Sequence, residues 1–368
     1  MGNYYIGLIS GTSMDGIDAA LVAFGDSTLE ILQTREHEYP ADLREALGAA
    51  MHAPGIRFAA DVPELHQEVG ECFRDAANAL LADAGVDASA VAAIGSHGQT
   101  IRHEPDSDDP FSLQIGDPEI IAAGTGITTV ADFRTADIEL GGQGAPLAPA
   151  FHEWLFHEPG HPRIIVNIGG ITNITVLAAG NEPTTGFDTG PGNTLLDAWI
   201  RKCRNLAFDR DGEWAASGSV DSALLGALLG DPYFAMPPPK STGFEHFNLD
   251  WLRAYGGDTT DAADVQATLC ELTAVSLADN VRELAPADCE LLVCGGGVHN
   301  PELMRRIALQ LPGHRVSTTA DAGLDPDWVE AAAFAWLAMR RLQEQPGNLP
   351  AVTGASGPAL LGDVHHVT

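Results

Sequence analysis

The sequence predicts a two-domain α/β fold made by internal duplication, and three features carry that expectation. At 368 residues the chain is longer than one simple hydrophobic core supports, so two domains of ordinary size fit it best. Apolar runs of strand length alternate with longer segments of helical periodicity, the pattern of an α/β architecture. One local unit also occurs twice, at residues 5–22 and 163–177. Each copy is an apolar strand, a glycine turn with hydroxyl or amide side chains, and a returning apolar strand. Identity between the copies is slight, and coincidence is the competing explanation.

The first strand, residues 5–9, runs into Ser10-Gly11-Thr12-Ser13-Met14-Asp15-Gly16, and a second apolar run follows at 17–24. This reads as a hairpin whose tip has the composition of an anion cradle. Gly11 and Gly16 let backbone N–H groups approach a charged ligand, and Ser10, Thr12 and Ser13 add hydroxyls. Asp15 can reach a metal-bound water or cap the turn's own N–H groups. A plain turn has the same composition, so the stretch alone does not decide. Residues 29–39 read as a third strand, and 41–50 and 62–84 as helices, the second carrying Leu65, Val69, Phe73, Ala76, Ala77, Leu80 and Leu81 on one face. A strand at 91–94 is expected to end in a polar loop, Gly95-Ser96-His97-Gly98-Gln99-Thr100, where functional groups gather in α/β sheets. Gln114-Ile115-Gly116-Asp117-Pro118 opens a helix, 128–131 is a short strand, and Gly141-Gly142-Gln143-Gly144-Ala145-Pro146 reads as the junction between domains.

The second half restarts the pattern with a strand at 163–168, the turn Gly169-Gly170-Ile171-Thr172-Asn173 and a strand at 174–177. Next comes Gly186-Phe187-Asp188-Thr189-Gly190-Pro191-Gly192-Asn193, a carboxylate in a rigid turn at the mouth of a helix. That suits a catalytic base, with helix-start amides beside it to receive a phosphate. Polar loops at 209–212 and 237–243 precede a helix at 261–284. A strand at 290–294 opens into Gly295-Gly296-Gly297 before a helix at 301–311, which allows a flat base and ribose to lie against bare backbone. A helix at 328–344 and a short tail complete the chain.

Composition limits the partners. Hydrophobic content is 45% and charged content 19%, a folded composition, and no apolar run approaches the ~20 residues needed to span a bilayer. Met1-Gly2-Asn3 does not begin a basic and then apolar leader, so no signal peptide is expected. Cys72, Cys203, Cys270, Cys289 and Cys294 are scattered without metal-ligand spacing, which fits free thiols in a reducing cytoplasm. The net charge is −32, with 51 acidic residues against 19 basic ones. Such a surface repels nucleic acid and anionic membranes. It fits either a high-salt cell interior or a high-GC genome with an acidic proteome.

The order of motifs matches the two-domain actin-like ATPase architecture of sugar kinases and heat-shock ATPases, which is ribonuclease H-like, with a nucleotide cleft between duplicated lobes. More specifically, the stretches at 9–18, 95–100, 141–146, 167–173, 186–193 and 294–297 resemble the anhydro-N-acetylmuramic acid kinase family from about Tyr5 to the tail at Pro350-Ala351-Val352-Thr353-Gly354. One departure is Phe244, after Lys240-Ser241-Thr242-Gly243, where that family more usually has arginine.

The resemblance implies a cytoplasmic homodimer that takes a 1,6-anhydro sugar, water, ATP and Mg2+, with residues 1–132 and 345–368 as the N-terminal lobe and 133–344 as the C-terminal lobe. It implies a catalytic Asp188 that activates water, with Glu330 either helping to hold that water or standing as an ordinary first-turn glutamate. ATP contacts are expected from Gly11, Thr12, Ser13, Met14, Asp15, Gly16, Ile17, Asp18, Asn167, Gly169, Gly170, Gly190, Gly192, Asn193, Gly295, Gly296 and Gly297. His97 and Gln99 are placed for sugar hydroxyls, against the bland reading of satisfied loop side chains. Arg134 either binds the sugar's carboxylate or pairs with Asp132 or Asp137. His103, His365 and His366 read as bystanders, and Lys240, one of two lysines with Lys202, suggests a role without specifying it. The competing readings are a kinase for another anhydro sugar such as levoglucosan, motivated by Phe244, and an actin-like ATPase without a sugar substrate.

Overall fold

The computed structural model describes residues 4–11, 14, 16–180, 182–259, 261–284 and 289–367. Two compact units result, residues 1–155 with 328–368 and residues 156–327. The sequence reading placed these divisions at 132/133 and 344/345.

In the first unit the apolar runs form β1 (Tyr4–Ser10), β2 (Gly16–Phe24) and β3 (Leu29–Glu38), consecutive antiparallel strands. β4 (Val91–Glu104) lies parallel to β1, β5 (Phe111–Ile115) folds back on β4, and β6 (Thr129–Ala131) runs parallel to β4. The expected polar loop at 95–100 is therefore interior strand. It pairs Gly7 with Gly95 and Ser10 with Gln99 on one side and Gln99 with Ile115 on the other. Likewise Gln114 and Ile115 end β5, and the next helix, Pro118–Thr125, starts only where the Asp117 carboxylate accepts the Glu119 and Ile120 amides.

Successive residues of β1 and β4 face opposite sides of the sheet. Ile6, Leu8 and Ile94 join a core with Val69, Phe73 and Leu80 of the helix Pro63–Ala84. Gly7 and Gly95 face the helix Val329–Leu342, whose backbone comes so near that a Cβ on Gly7 would fall 1.7 Å from the Ala331 carbonyl oxygen. The C-terminal strand Asp363–His365 pairs antiparallel with β6 and covers that edge, so His365 belongs to the sheet. Residues 141–146 are not the junction. Fully buried Asp137 accepts hydrogen bonds from the Gly144 amide (2.8 Å) and from Asn348 and Thr353 (each 2.7 Å), tying that loop to the tail inside the first unit.

The second unit contains β7 (Arg163–Ile168), β8 (Ile171–Leu177), β9 (Thr185–Pro191), β10 (Glu290–Cys294) and β11 (Arg315–Thr318). Its sheet order is β11-β10-β7-β8-β9, and the corresponding path in the first unit is β6-β4-β1-β2-β3. In both, three antiparallel strands are followed by two parallel ones on the other side of the first. This shared topology supports duplication where residue identity was too slight to decide. The helix Ala262–Leu284 buries Leu269, Leu272, Leu277 and Val281 against Trp199, Phe187 and Leu291. Each such side chain stabilises the unit by about 1.5–3 kcal/mol. No helix among the described residues is long and apolar enough to cross a membrane.

Candidate active site

In the second unit the candidate groups lie toward the carboxyl ends of the parallel strands β7 and β10, the usual place for a site in an α/β sheet. Asp188 sits in β9, the last strand of its sheet, opposite Asn173 of β8. Its backbone N–H donates to the Lys240 carbonyl (3.0 Å), and its backbone carbonyl accepts from the Tyr233 hydroxyl (2.6 Å). The carboxylate Oδ2 accepts from the Thr242 amide at 3.0 Å. Oδ1 takes no hydrogen bond from the described residues, which leaves one oxygen held and the other available. Burial pushes the carboxyl up to about 6, with the Thr242 amide opposing the rise and Glu245 adding to it. The group is thus a stronger base than an exposed aspartate and still ionised at neutral pH.

The glycine turns around it form one hydrogen-bonded assembly. The Gly170 carbonyl accepts from the Gly192 and Thr194 amides, and the Gly169 carbonyl accepts from the Asn193 amide. This corrects the expectation that helix-start amides await a phosphate there: the amides of 192–194 are engaged by the β7–β8 turn. The Asn193 side chain donates to the Ile168 carbonyl at 3.3 Å. Gly295, at φ +77°, follows β10 and lies against Asn167, and a Cβ on Gly297 would fall 2.3 Å from an Ile168 methyl, whereas Gly296 faces open space. The triplet is bare because β7 approaches it on one side, and its middle residue is the open surface.

In the first unit the hairpin tip between β1 and β2 is held from beneath. The Ser10 hydroxyl lies 2.7 Å from both the Gly16 carbonyl and Gln99 Oε1, and Gln99 Nε2 donates to the Gly11 carbonyl at 3.2 Å. Gln99 is fully buried, which corrects its expected place at sugar hydroxyls: its amide supports the hairpin. Ile17 is fully buried in the core, so only its backbone is open to a ligand, and Gly16 and Asp18 lie in β2. Met14 has a left-handed φ of 54° and donates its amide to the Gly11 carbonyl at 3.3 Å. Thr12, Ser13 and Asp15 lie outside the described residues.

Arg134 pairs with neither Asp132 nor Asp137. Its Nη2 and Nε are 2.8 and 3.3 Å from His97 Nε2, and Nη1 donates to the Gly144 carbonyl at 2.8 Å. Three of its five N–H donors are so engaged. Because Nε2 accepts from a guanidinium, His97 is neutral and carries its proton on Nδ1. Burial and Arg134 together hold its pKa well below the ordinary value. His97 packs on Phe334 at 4.6 Å between centroids. Glu330, in the first turn of the helix Val329–Leu342, reaches solvent. The surrounding protein raises its carboxyl while Arg134 opposes the shift. His103, expected in solvent, has Nδ1 3.0 Å from the Ser112 hydroxyl and is lowered to about 4 by burial, with Arg134 adding.

Tyr233 and the Thr242 amide were missed by sequence reasoning. A backbone donor has no sequence signature, and a tyrosine 45 residues from its carbonyl partner has none either. The signals for that loop were its polar composition at 237–243, the isolated Lys240 and the departure at Phe244.

The model of the family described as anhydro-N-acetylmuramic acid kinase matches residues 3–367. A kinase of that description from Shewanella pealeana is 51% identical over 367 residues, covering 99% of this chain and 98% of the relative. One from Xanthomonas axonopodis pv. citri is 52% identical over 365 residues, covering 98% and 97%. Among solved structures, an activator of 2-hydroxyisocaproyl-CoA dehydratase from Clostridium difficile with bound ADPNP has a TM-score of 0.46 at 11% identity, covering 93% of this chain and 96% of that one. A ROK family glucokinase from Streptomyces griseus with glucose and AMPPNP has 0.38 at 16% identity, covering 90% and 99%.

Proposed function

The chain belongs to the anhydro-N-acetylmuramic acid kinase family, and from that premise we propose how its residues carry the reaction. The enzyme uses ATP and water to open the 1,6-anhydro ring of 1,6-anhydro-N-acetylmuramic acid and phosphorylate O6, giving N-acetylmuramic acid 6-phosphate. Asp188 removes a proton from water through Oδ1 as the water oxygen bonds to the anomeric carbon. The C1–O6 bond breaks, and O6 attacks the γ-phosphate. The observation that carries this assignment is the held carboxylate, with Oδ2 on the Thr242 amide, Oδ1 taking no hydrogen bond from the described residues and a pKa of about 6.

The β1–β2 turn supplies backbone donors for the phosphates through Gly11 and Gly16, with the Met14 amide closing the turn on the Gly11 carbonyl, and Gly295, Gly296 and Gly297 supply a flat backbone surface for adenosine. Bound together with the nucleotide, Mg2+ would offset negative charge on the phosphates, and Asp15, between β1 and β2 in the sequence, is the residue that would hold it through its water shell. Arg134, oriented by neutral His97, offers its remaining donors to the sugar's carboxylate, and Glu330 steadies the attacking water beside it. The protein acts in the cytoplasm as a homodimer.

Turnover of a panel of anhydro sugars in ¹⁸O-water tests the reaction. Label is expected at C1 of the product, and unlabelled product would remove water attack at that carbon. Phe244, 51% exposed two residues after Thr242, motivates the second reading, a kinase for a smaller anhydro sugar. Faster turnover of levoglucosan than of the anhydromuramic acid in the same panel would establish it. Gln99→Leu is expected to raise the KM for ATP roughly tenfold, since the hairpin tip loses a buried amide worth about 1–3 kcal/mol. Steady-state kinetics with an unchanged KM would separate the tip from nucleotide binding.

A further inference from the structure

We propose that Lys240 is a positioning residue for Asp188, acting through the loop 238–243 that it anchors against the edge of β9. The inference rests on Asp188 being the base. Lys240 is 6% exposed, which is rare for lysine and expected only where the ammonium is satisfied. Its Nζ lies 3.3 and 3.4 Å from the Tyr233 and Phe234 carbonyls and 4.9 Å from the centre of the Tyr233 ring. Described residues offer it no carboxylate in contact, so its charge is held by backbone dipoles and a ring face.

That anchorage fixes three groups around the base. The Lys240 carbonyl accepts from the Asp188 amide, the Thr242 amide two residues on donates to Asp188 Oδ2, and the Tyr233 hydroxyl donates to the Asp188 carbonyl. The far end of the loop is also secured. The Gly243 carbonyl accepts from the His246 and Phe247 amides, and Phe247 is buried among Tyr233, Phe234 and Trp251. Between these ends, apart from its bonds to Asp188 itself, the ammonium is the side-chain anchor that the described residues show for the stretch carrying the Lys240 carbonyl and the Thr242 amide. Loosening it takes the amide from Oδ2 and frees the carboxylate to rotate. An error of about 1 Å in a base is enough to lose 10²-fold in rate.

The titratable groups acting on Asp188 are Glu245 and Tyr233, and Glu283 of the helix Ala262–Leu284 acts on Lys240. None of these changes in Lys240→Met, which keeps the apolar stem and removes the ammonium. The Thr242 amide lowers the Asp188 pKa, so losing it moves the acid limb of the kcat profile to higher pH.

The test compares the full-length wild type, Lys240→Met, Lys240→Arg and Asp188→Asn in the ATP-dependent phosphorylation assay from pH 5 to 9, with thermal melts of each. Lys240→Met is expected to lower kcat about 10- to 100-fold with the KM for ATP within twofold, and to raise the acid limb by about half a pH unit or more. Lys240→Arg, whose guanidinium reaches the same carbonyls, restores most of the rate and the parental limb. If Lys240→Met does not fold, Lys240→Gln replaces it and shifts the limb the same way by less. A Lys240 variant that is slow but keeps the parental acid limb overturns the proposal, as does one with parental kcat. If Asp188→Asn is slow while Lys240→Met is normal, only this inference fails. If Asp188→Asn is itself near normal, the base assignment falls and this inference with it.

Discussion

Asp188→Asn is expected to turn over at least ~100-fold slower than the wild type while its Kd for ATP changes by less than about twofold. Asparagine keeps the shape and the acceptor for the Thr242 amide but cannot take a proton from water. In the wild type the acid limb of kcat/KM should fall near the folded pKa of about 6, activity rising with pH as the carboxyl ionises. The same substitution should stabilise the fold. The unfolded carboxyl titrates near 3.8 and the folded one near 6, so the native state favours the protonated form and loses stability as pH climbs through that window. Above it the buried charge is a standing penalty that asparagine lacks. Allowing for partial solvent access, Asp188→Asn should gain about 2 kcal/mol at pH 8, a gain that disappears by about pH 4. A variant that retains the wild-type rate would remove Asp188 from the mechanism. A flat stability difference between pH 4 and 8 would show that burial does not penalise the charge.

Gly7→Ala is expected to destabilise the first unit by about 3 kcal/mol or more and lower the Tm by roughly 10 °C. The added methyl would stand 1.7 Å from the Ala331 carbonyl oxygen and 2.8 Å from the Ala335 amide nitrogen, and both contacts are helix backbone that cannot rotate aside. The helix must lift from β1, and it rests equally closely on Gly95, where an added methyl would stand 2.0 Å from the Phe334 carbonyl oxygen. Ala331 directly follows Glu330, so the surviving folded fraction should also show a lower kcat. A melt indistinguishable from wild type would mean that the helix does not rest on the strand.

Much of this was legible in the chain itself. The two hairpins, the aspartate turn and the glycine triplet follow from short-range rules, namely apolar runs of strand length broken by glycine and amide residues. The limits of that reading show at residues 95–100, where Ser96, His97 and Gln99 look like a loop because they are polar. They lie in a strand because β1 and β5 flank it and because Ser10 and Arg134 satisfy Gln99 and His97. Gly192 and Asn193 similarly look like an anion site until the carbonyls of Gly169 and Gly170 are found on their amides.

The sequence by itself determined the duplicated α/β plan and the family, and it singled out Asp188 and the glycine turns as candidates, since each depends on local periodicity or on a motif within about ten residues. Only the tertiary structure decided how the Asp188 carboxylate is held, which amides are already engaged and where Arg134 points. Those facts are contacts between groups distant along the chain, as from Asp188 to Thr242, 54 residues apart, or Arg134 to His97, 37 apart. No residue's type or spacing encodes such a meeting, because it exists only after packing has chosen which polar groups leave water together.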